Sequence, residues 1–158
     1  MMTRMRNETS CGHPWHQDCG MWRMVKGARA RMVLIVEDDQ PIGDVLLTAI
    51  NDERGYRAVR VATAYEALAA LARTPIDLLL LDIQLPGMSG LELYDRIKAD
   101  DRFKRLPVVF ETAGGREHAD ALRERGIATY VKKPFDLEEL VRFVKVLVPP
   151  MKRTGRPA

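Results

Sequence analysis

Glu37, Asp38, Asp82, Thr112 and Lys133 supply three carboxylates, a hydroxyl and an ammonium group, each at the end of a short apolar run. Met32-Val33-Leu34-Ile35-Val36 runs into Glu37 and Asp38, and Ile76-Asp77-Leu78-Leu79-Leu80-Leu81 runs into Asp82. Pro107-Val108-Val109-Phe110 leads through Glu111 to Thr112, and Thr129-Tyr130-Val131 leads to Lys132, Lys133 and Pro134. Clustered acids raise at least one carboxyl pKa unless a cation compensates, and hard oxygen ligands with room for water suit Mg2+. One carboxylate of such a cluster could attack a phosphoryl donor as a nucleophile. Lys133 would neutralise the transferred oxygens, and the Thr112 hydroxyl could hydrogen-bond to one of them. The competing reading is that strand-end acids merely cap helices. It is preferred for Asp39, which is placed to start the first helix. Convergence of Asp38, Asp82 and Lys133 on one crevice favours a functional cluster instead.

These residues meet only if the runs are neighbouring strands. Apolar runs this short, bounded by turn-formers, are expected to be buried strands of a parallel sheet, and such sheets bind ligands at the carboxyl ends of their strands. A fifth strand, Tyr56 to Ala62, fits the spacing. Ile42, Val45, Leu46, Ala49 and Ile50 recur at helical intervals, and Thr63 with Glu66 has the capping-box spacing before Ala67, Leu68, Ala70 and Leu71. Ser89 can cap a helix bearing Leu91, Leu93, Tyr94 and Ile97. A shorter helix is expected over Asp120 to Arg125. The last one is capped by Asp136 with Glu139 and buries Leu140, Val141, Val144, Leu147 and Val148. Five strands alternating with five helices predict an α/β fold, a parallel sheet covered on both faces.

The gross numbers narrow the class. At 158 residues the chain is one domain's worth with length enough for a core. No apolar stretch approaches a membrane span and no secretory pattern opens the chain, so a soluble cytoplasmic protein is expected. The net charge of +3 comes from the ends: residues 1–31 hold six basic against two acidic residues, and residues 149–158 hold three basic ones. Residues 32–148 therefore carry −4, which argues against a basic nucleic-acid-binding face on the folded part. Residues 1–31 lack periodicity and are expected to form a disordered or non-native leader, 32–148 the domain, and 149–158 a basic tail after Pro149-Pro150. The leader also holds Cys11, His13, His16 and Cys19, all good zinc ligands, but their spacing matches no usual structural zinc pattern. A disulfide is not expected in a cytosolic chain.

Four segments carry a family resemblance: Val33-Leu34-Ile35-Val36-Glu37-Asp38-Asp39; Leu81-Asp82-Ile83-Gln84-Leu85-Pro86-Gly87-Met88-Ser89-Gly90; Thr112-Ala113; and Lys133-Pro134-Phe135. Over residues 32 to 148 they resemble the response-regulator receiver domains in order and spacing, of the stand-alone single-domain type. The resemblance implies a flavodoxin-like five-stranded sheet in the order 2-1-3-4-5 and phosphotransfer from a phosphohistidine of a sensor histidine kinase or a histidine phosphotransfer protein. It implies Asp82 as phosphoacceptor, and Glu37 and Asp38 as the acid pair, with Asp38 the preferred direct Mg2+ ligand. Gln84 matches the position whose backbone carbonyl ligates the metal. Thr112 and Tyr130 match the switch hydroxyl and the switch aromatic, and Lys133 the phosphate-binding lysine. The sequence departs from the pattern at Glu111, which adds a negative charge before the switch threonine, and at Gly114-Gly115, which loosens the following loop.

The function expected is a phosphoacceptor switch, not an enzyme beyond its own phosphotransfer and dephosphorylation. It would signal to an unidentified downstream protein, with no DNA-binding domain and no membrane segment. A phosphorelay shuttle is an alternative within this class. An aspartate-nucleophile phosphohydrolase would place a second Asp two residues after the nucleophile, where this chain has Gln84. A flavodoxin-type flavin carrier would need a glycine- and hydroxyl-rich phosphate loop where this chain puts three carboxylates.

Overall fold

A computed structural model describes residues 29–151. In chain order the elements are β1 (Arg31–Val36), α1 (Gln40–Asp52), β2 (Tyr56–Val61), α2 (Ala64–Arg73), β3 (Leu78–Asp82), α3 (Gly90–Ala99), β4 (Val108–Thr112), α4 (Arg116–Glu124), β5 (Tyr130–Lys132) and α5 (Leu137–Leu147). All strands are parallel, in the order β2-β1-β3-β4-β5. This is the expected flavodoxin-like α/β fold. Parallel neighbours need a crossover helix between them, so the alternation of elements leaves helices on both faces.

The three inner strands are apolar on both sides because both sides are covered. Leu34, Val36, Leu79, Leu81 and Phe110 pack with residues of α2, α3 and α4, among them Ala67, Leu71, Leu93, Ile97 and Leu122. Val33, Ile35, Leu78, Leu80 and Val109 meet α1 and α5 through Leu46, Ile50, Leu140, Val141 and Val144. Full burial of each such Leu, Ile or Phe contributes about 1.5–3 kcal/mol. The register carries the runs' ends to one rim: Val36 lies opposite Leu81, Asp82 opposite Glu111, and Thr112 opposite Lys132.

Helix starts follow the caps. Asp39 accepts from the Ile42 N–H, Asp136 from those of Glu138 and Glu139, and Thr63 and Ser89 each close a capping box with the glutamate three residues on. Helix α4 differs from expectation. It starts at Arg116, four residues early, and its N-cap Gly115 makes no side-chain bond. Only Leu122 of α4 is buried, so the periodic signal that marks the other helices is weak there. Strand β1 opens at Arg31, one residue before Met32. Arg29 and Arg31 both pair with Asp77, and the Arg31 Nε donates to the Pro149 carbonyl. The Cys11, His13, His16 and Cys19 group lies outside the described residues, as do residues 152–158 of the basic tail.

Candidate functional site

The sheet's parallel register puts the ends of β1, β3, β4 and β5 at one rim, where the sequence-predicted residues come together. Asp82 is the last residue of β3 and is buried. Its Oδ1 accepts from the Gln84 N–H at 2.9 Å, which fixes the turn out of the strand, and its Oδ2 accepts from Lys133 Nζ at 2.8 Å. The same ammonium donates to Glu37 Oε2 at 2.5 Å, so Lys133 bridges two strand-end acids. Glu37 Oε1 accepts from the Asp39 N–H at 3.0 Å. Lys133 is held there because its own N–H donates to the Thr112 carbonyl at 2.9 Å, continuing the β4–β5 ladder one residue past the strand. Gly90 opens α3 against the turn: a Cβ there would lie 2.1 Å from the Asp82 carbonyl oxygen, so only glycine lets the helix approach.

Glu37, Asp38 and Asp82 each offer a carboxylate oxygen within 4.8 Å of the others, with Asp38 exposed and the other two buried. Burial pushes the Glu37 carboxyl above its ordinary value, against the bonds from Lys133 and Asp39 that favour its charge. Burial works against the Lys133 ammonium, yet its bonds to Asp82 and Glu37 prevail and hold its pKa above the ordinary value. Glu111 sits beside this cluster with both carboxylate oxygens buried and without a hydrogen-bond partner. Burial pushes its pKa up to about 8; Lys133 opposes the rise while Glu37 and Asp82 add to it. At neutral pH Glu111 is therefore mostly protonated, and the rim holds three carboxylates against one paired ammonium. Among the described residues no other lysine or arginine pairs with these acids. A donor set of carboxylate oxygens with two uncompensated charges suits a divalent hard cation.

The remaining predicted residues lie at this rim or just below it, Tyr130 two positions down, opposite Phe110. Gln84 is exposed, two residues after Asp82. Thr112 is 2% exposed at the end of β4. Tyr130 on β5 is half-buried against the α2/α3/α4 face of the core, and Lys132 is exposed. Two contacts have no counterpart in the sequence reading. Arg60 on β2 donates from Nε to the Glu37 carbonyl at 3.1 Å and from Nη2 to that of Asp38 at 3.4 Å, which steadies the backbone of the acid pair. His118 Nδ1 lies 2.8 Å from Thr112 Oγ1. No local signal announces Arg60, since its targets come from a strand pairing; the Gly114-Gly115 pair was the only hint of His118.

The fold and this site define a class, the receiver switch of two-component signalling. The chain belongs to it: the model of the response regulator receiver domain matches residues 33–145. The chain is 34% identical over 118 residues to sporulation initiation phosphotransferase F of Bacillus subtilis, covering 74% of this chain and 93% of that one. It is 35% identical over 126 residues to the phosphate regulon transcriptional regulatory protein PhoB of Pseudomonas aeruginosa, covering 79% of this chain but only 53% of PhoB. The chain thus spans about half the length of its PhoB relatives. The signal receiver domain of a histidine kinase from Syntrophus aciditrophicus superposes with a TM-score of 0.70 at 28% identity, covering 82% of this chain and 98% of that one. The family is generally one of signalling switches. Among the described residues, no helix is long and apolar enough to cross a membrane.

Proposed function

We propose that this receiver domain accepts a phosphoryl group on Asp82 from the phosphohistidine of a sensor histidine kinase or a histidine phosphotransfer protein. One observation carries the proposal: a single ammonium, Lys133 Nζ, is shared between Asp82 and Glu37 at the rim where a third acid, Asp38, completes a set of oxygens within 4.8 Å. In the transfer, a carboxylate oxygen of Asp82 bonds to phosphorus, the P–N bond to the donor histidine breaks, and its electron pair returns to the imidazole nitrogen. Lys133 turns from Glu37 toward the new phosphoryl oxygens and offsets their charge. Thr112 donates its hydroxyl proton to one of those oxygens, and Tyr130 follows into the space vacated. Glu37, Asp38 and Asp82, with the Gln84 backbone carbonyl, would hold Mg2+, which supplies positive charge to the transferring group.

The doubly charged acyl phosphate reorganises hydrogen bonding at the rim, and the altered surface is read by a downstream protein. The domain occupies residues 31–148, one residue more than the apolar run because β1 opens at Arg31, between a leader and a basic tail of 149–158, and a cytoplasmic location goes with this reading. A relay role, in which Asp82 passes the phosphoryl group on to another histidine, is favoured by the relative named as a phosphotransferase. The test is incubation with acetyl phosphate and Mg2+, read by intact mass. The wild type should gain one phosphoryl group only when Mg2+ is present, and Asp82→Ala none. No gain in the wild type, together with no beryllofluoride complex, would refute the proposal. Return of the label to a histidine phosphotransfer protein separates the relay from the terminal switch.

A further inference from the structure

The buried hydroxyl of Thr112 is already engaged. It accepts from the Gly114 N–H at 3.0 Å and shares a second hydrogen bond with His118 Nδ1 at 2.8 Å. A threonine hydroxyl has one proton and two lone pairs. If the ring nitrogen accepts, it takes the only proton that Thr112 could give to a phosphoryl oxygen. If the ring donates, both lone pairs are filled and the oxygen is held from two sides. Either way, displacement of Thr112 toward a group on Asp82 breaks the bond to His118. Thr112 is 2% exposed, so water does not readily replace it.

Two further observations show that this contact is built into the chain. A Cβ on Gly114 would lie 1.9 Å from His118 Nδ1 and 2.4 Å from Cγ and Cε1, so the imidazole fills the space a side chain would need. The unusual Gly114-Gly115 pair is thereby explained at its first position. The start of α4, moreover, has no side-chain cap, whereas Asp39, Thr63, Ser89 and Asp136 cap the other four helices. His118, in the first turn of α4, ties that uncapped end to the sheet. It also lines the cleft that Asp38 and Gln84 border, beside the acid cluster.

We propose that His118 is a positioning residue that latches Thr112 in the unphosphorylated arrangement, so that phosphorylation must release the first turn of α4 along with the hydroxyl. This rests on the phosphoacceptor reading of Asp82. The latch opposes activation by the worth of one buried hydrogen bond, roughly two- to twelve-fold in the equilibrium. The test measures beryllofluoride affinity in the presence of Mg2+, by calorimetry, for wild type, His118→Leu, His118→Asn and Gly114→Ala. His118→Leu should bind about five-fold tighter. His118→Asn, whose amide reaches the place of Nδ1, should stay within about two-fold of wild type. The decisive arm is Thr112→Val, which has no hydroxyl to latch: there His118→Leu should change nothing. If His118→Leu fails to fold, Gly114→Ala carries the same expectation, because it expels the ring from outside the helix. Unchanged or weaker binding by the leucine variant beside a wild type that binds overturns the latch alone. An equal gain in the Thr112→Val background also overturns it, since the effect would then be one of shape. A wild type that binds no beryllofluoride overturns the phosphoacceptor reading and the latch with it.

Discussion

Strand β3 has an aspartate just before its start and another as its last residue, and the two ends are treated differently. Asp77, just before the strand, accepts from Arg29 Nη2 at 2.8 Å, from Arg31 Nη1 at 3.1 Å and from the Met32 N–H at 2.8 Å. Two guanidinium groups and an amide thus converge on one carboxylate, and its charge is more than matched. Asp82, five residues on, shares one ammonium with Glu37 while Asp38 and the buried Glu111 stand alongside. The first end is a closed clamp that fastens the start of β1 to that of β3. The second is left short of positive charge in a place where burial makes that shortage expensive. A protein tolerates such a deficit where something charged is to arrive.

Breaking the second end should have the largest effect. Lys133→Met removes the one ammonium that, among the described residues, pairs with the two buried acids. Loss of one partner of a buried pair costs about 3–5 kcal/mol. Urea unfolding at pH 7 should therefore show a large drop in stability, partly recovered at acid pH as Glu37 takes up a proton. Labelling by acetyl phosphate should fall by roughly tenfold or more. A stable Lys133→Met protein that still labels at the wild-type rate would erase the contrast between the two ends.

Glu111→Gln sharpens it. A carboxyl with a folded pKa of about 8, against an unfolded value of 4.5, binds more protons folded than unfolded between those values. Its contribution to stability is present below pH 4.5 and is lost as pH rises through 8. Glutamine resembles the neutral acid, so wild type and variant should match within about 1 kcal/mol at pH 5. At pH 9 the variant should be the more stable by on the order of 3–4 kcal/mol. Parallel pH profiles of the two proteins would show that Glu111 is not held neutral.

The smallest effect is expected at the first end. Asp77→Asn keeps an acceptor for the Met32 N–H and loses the charge that both arginines meet, one of them 45% exposed. Stability should fall by about 1–2 kcal/mol, and acetyl phosphate labelling should stay within about two-fold of wild type. Impaired labelling in a folded Asp77→Asn protein would mean that the clamp reaches the site through β3.

Much of this molecule was legible before its structure. The alternation of elements, the four apolar runs and the capping residues Asp39, Thr63, Ser89 and Asp136 are local signals, and every element except α4 lies where its signal does. Helix α4 was displaced because its segment offers one buried leucine and a glycine for a cap. Arg60 and His118 carry no local signal, for a different reason. Their partners, the carbonyls of Glu37 and Asp38 and the hydroxyl of Thr112, lie on other elements, and no spacing rule links an arginine on β2 to the end of β1. Asp77 interrupts an apolar run in the sequence and in the fold is half of a clamp whose other half begins at Arg29.

By itself the sequence determined the types and order of the groups: acids after β1 and β3, a hydroxyl after β4, an ammonium after β5. Binary pattern and caps are one-dimensional properties, and parallel strands leave few ways to arrange them. Only the tertiary structure decided which charges are satisfied and which are not, because that depends on distance and on exclusion of water. Asp77 and Asp82 are the same residue type at the two ends of one strand, the first just before it and the second its last residue. Packing brought two arginines to the first, and brought one shared lysine and a neutralised Glu111 to the second.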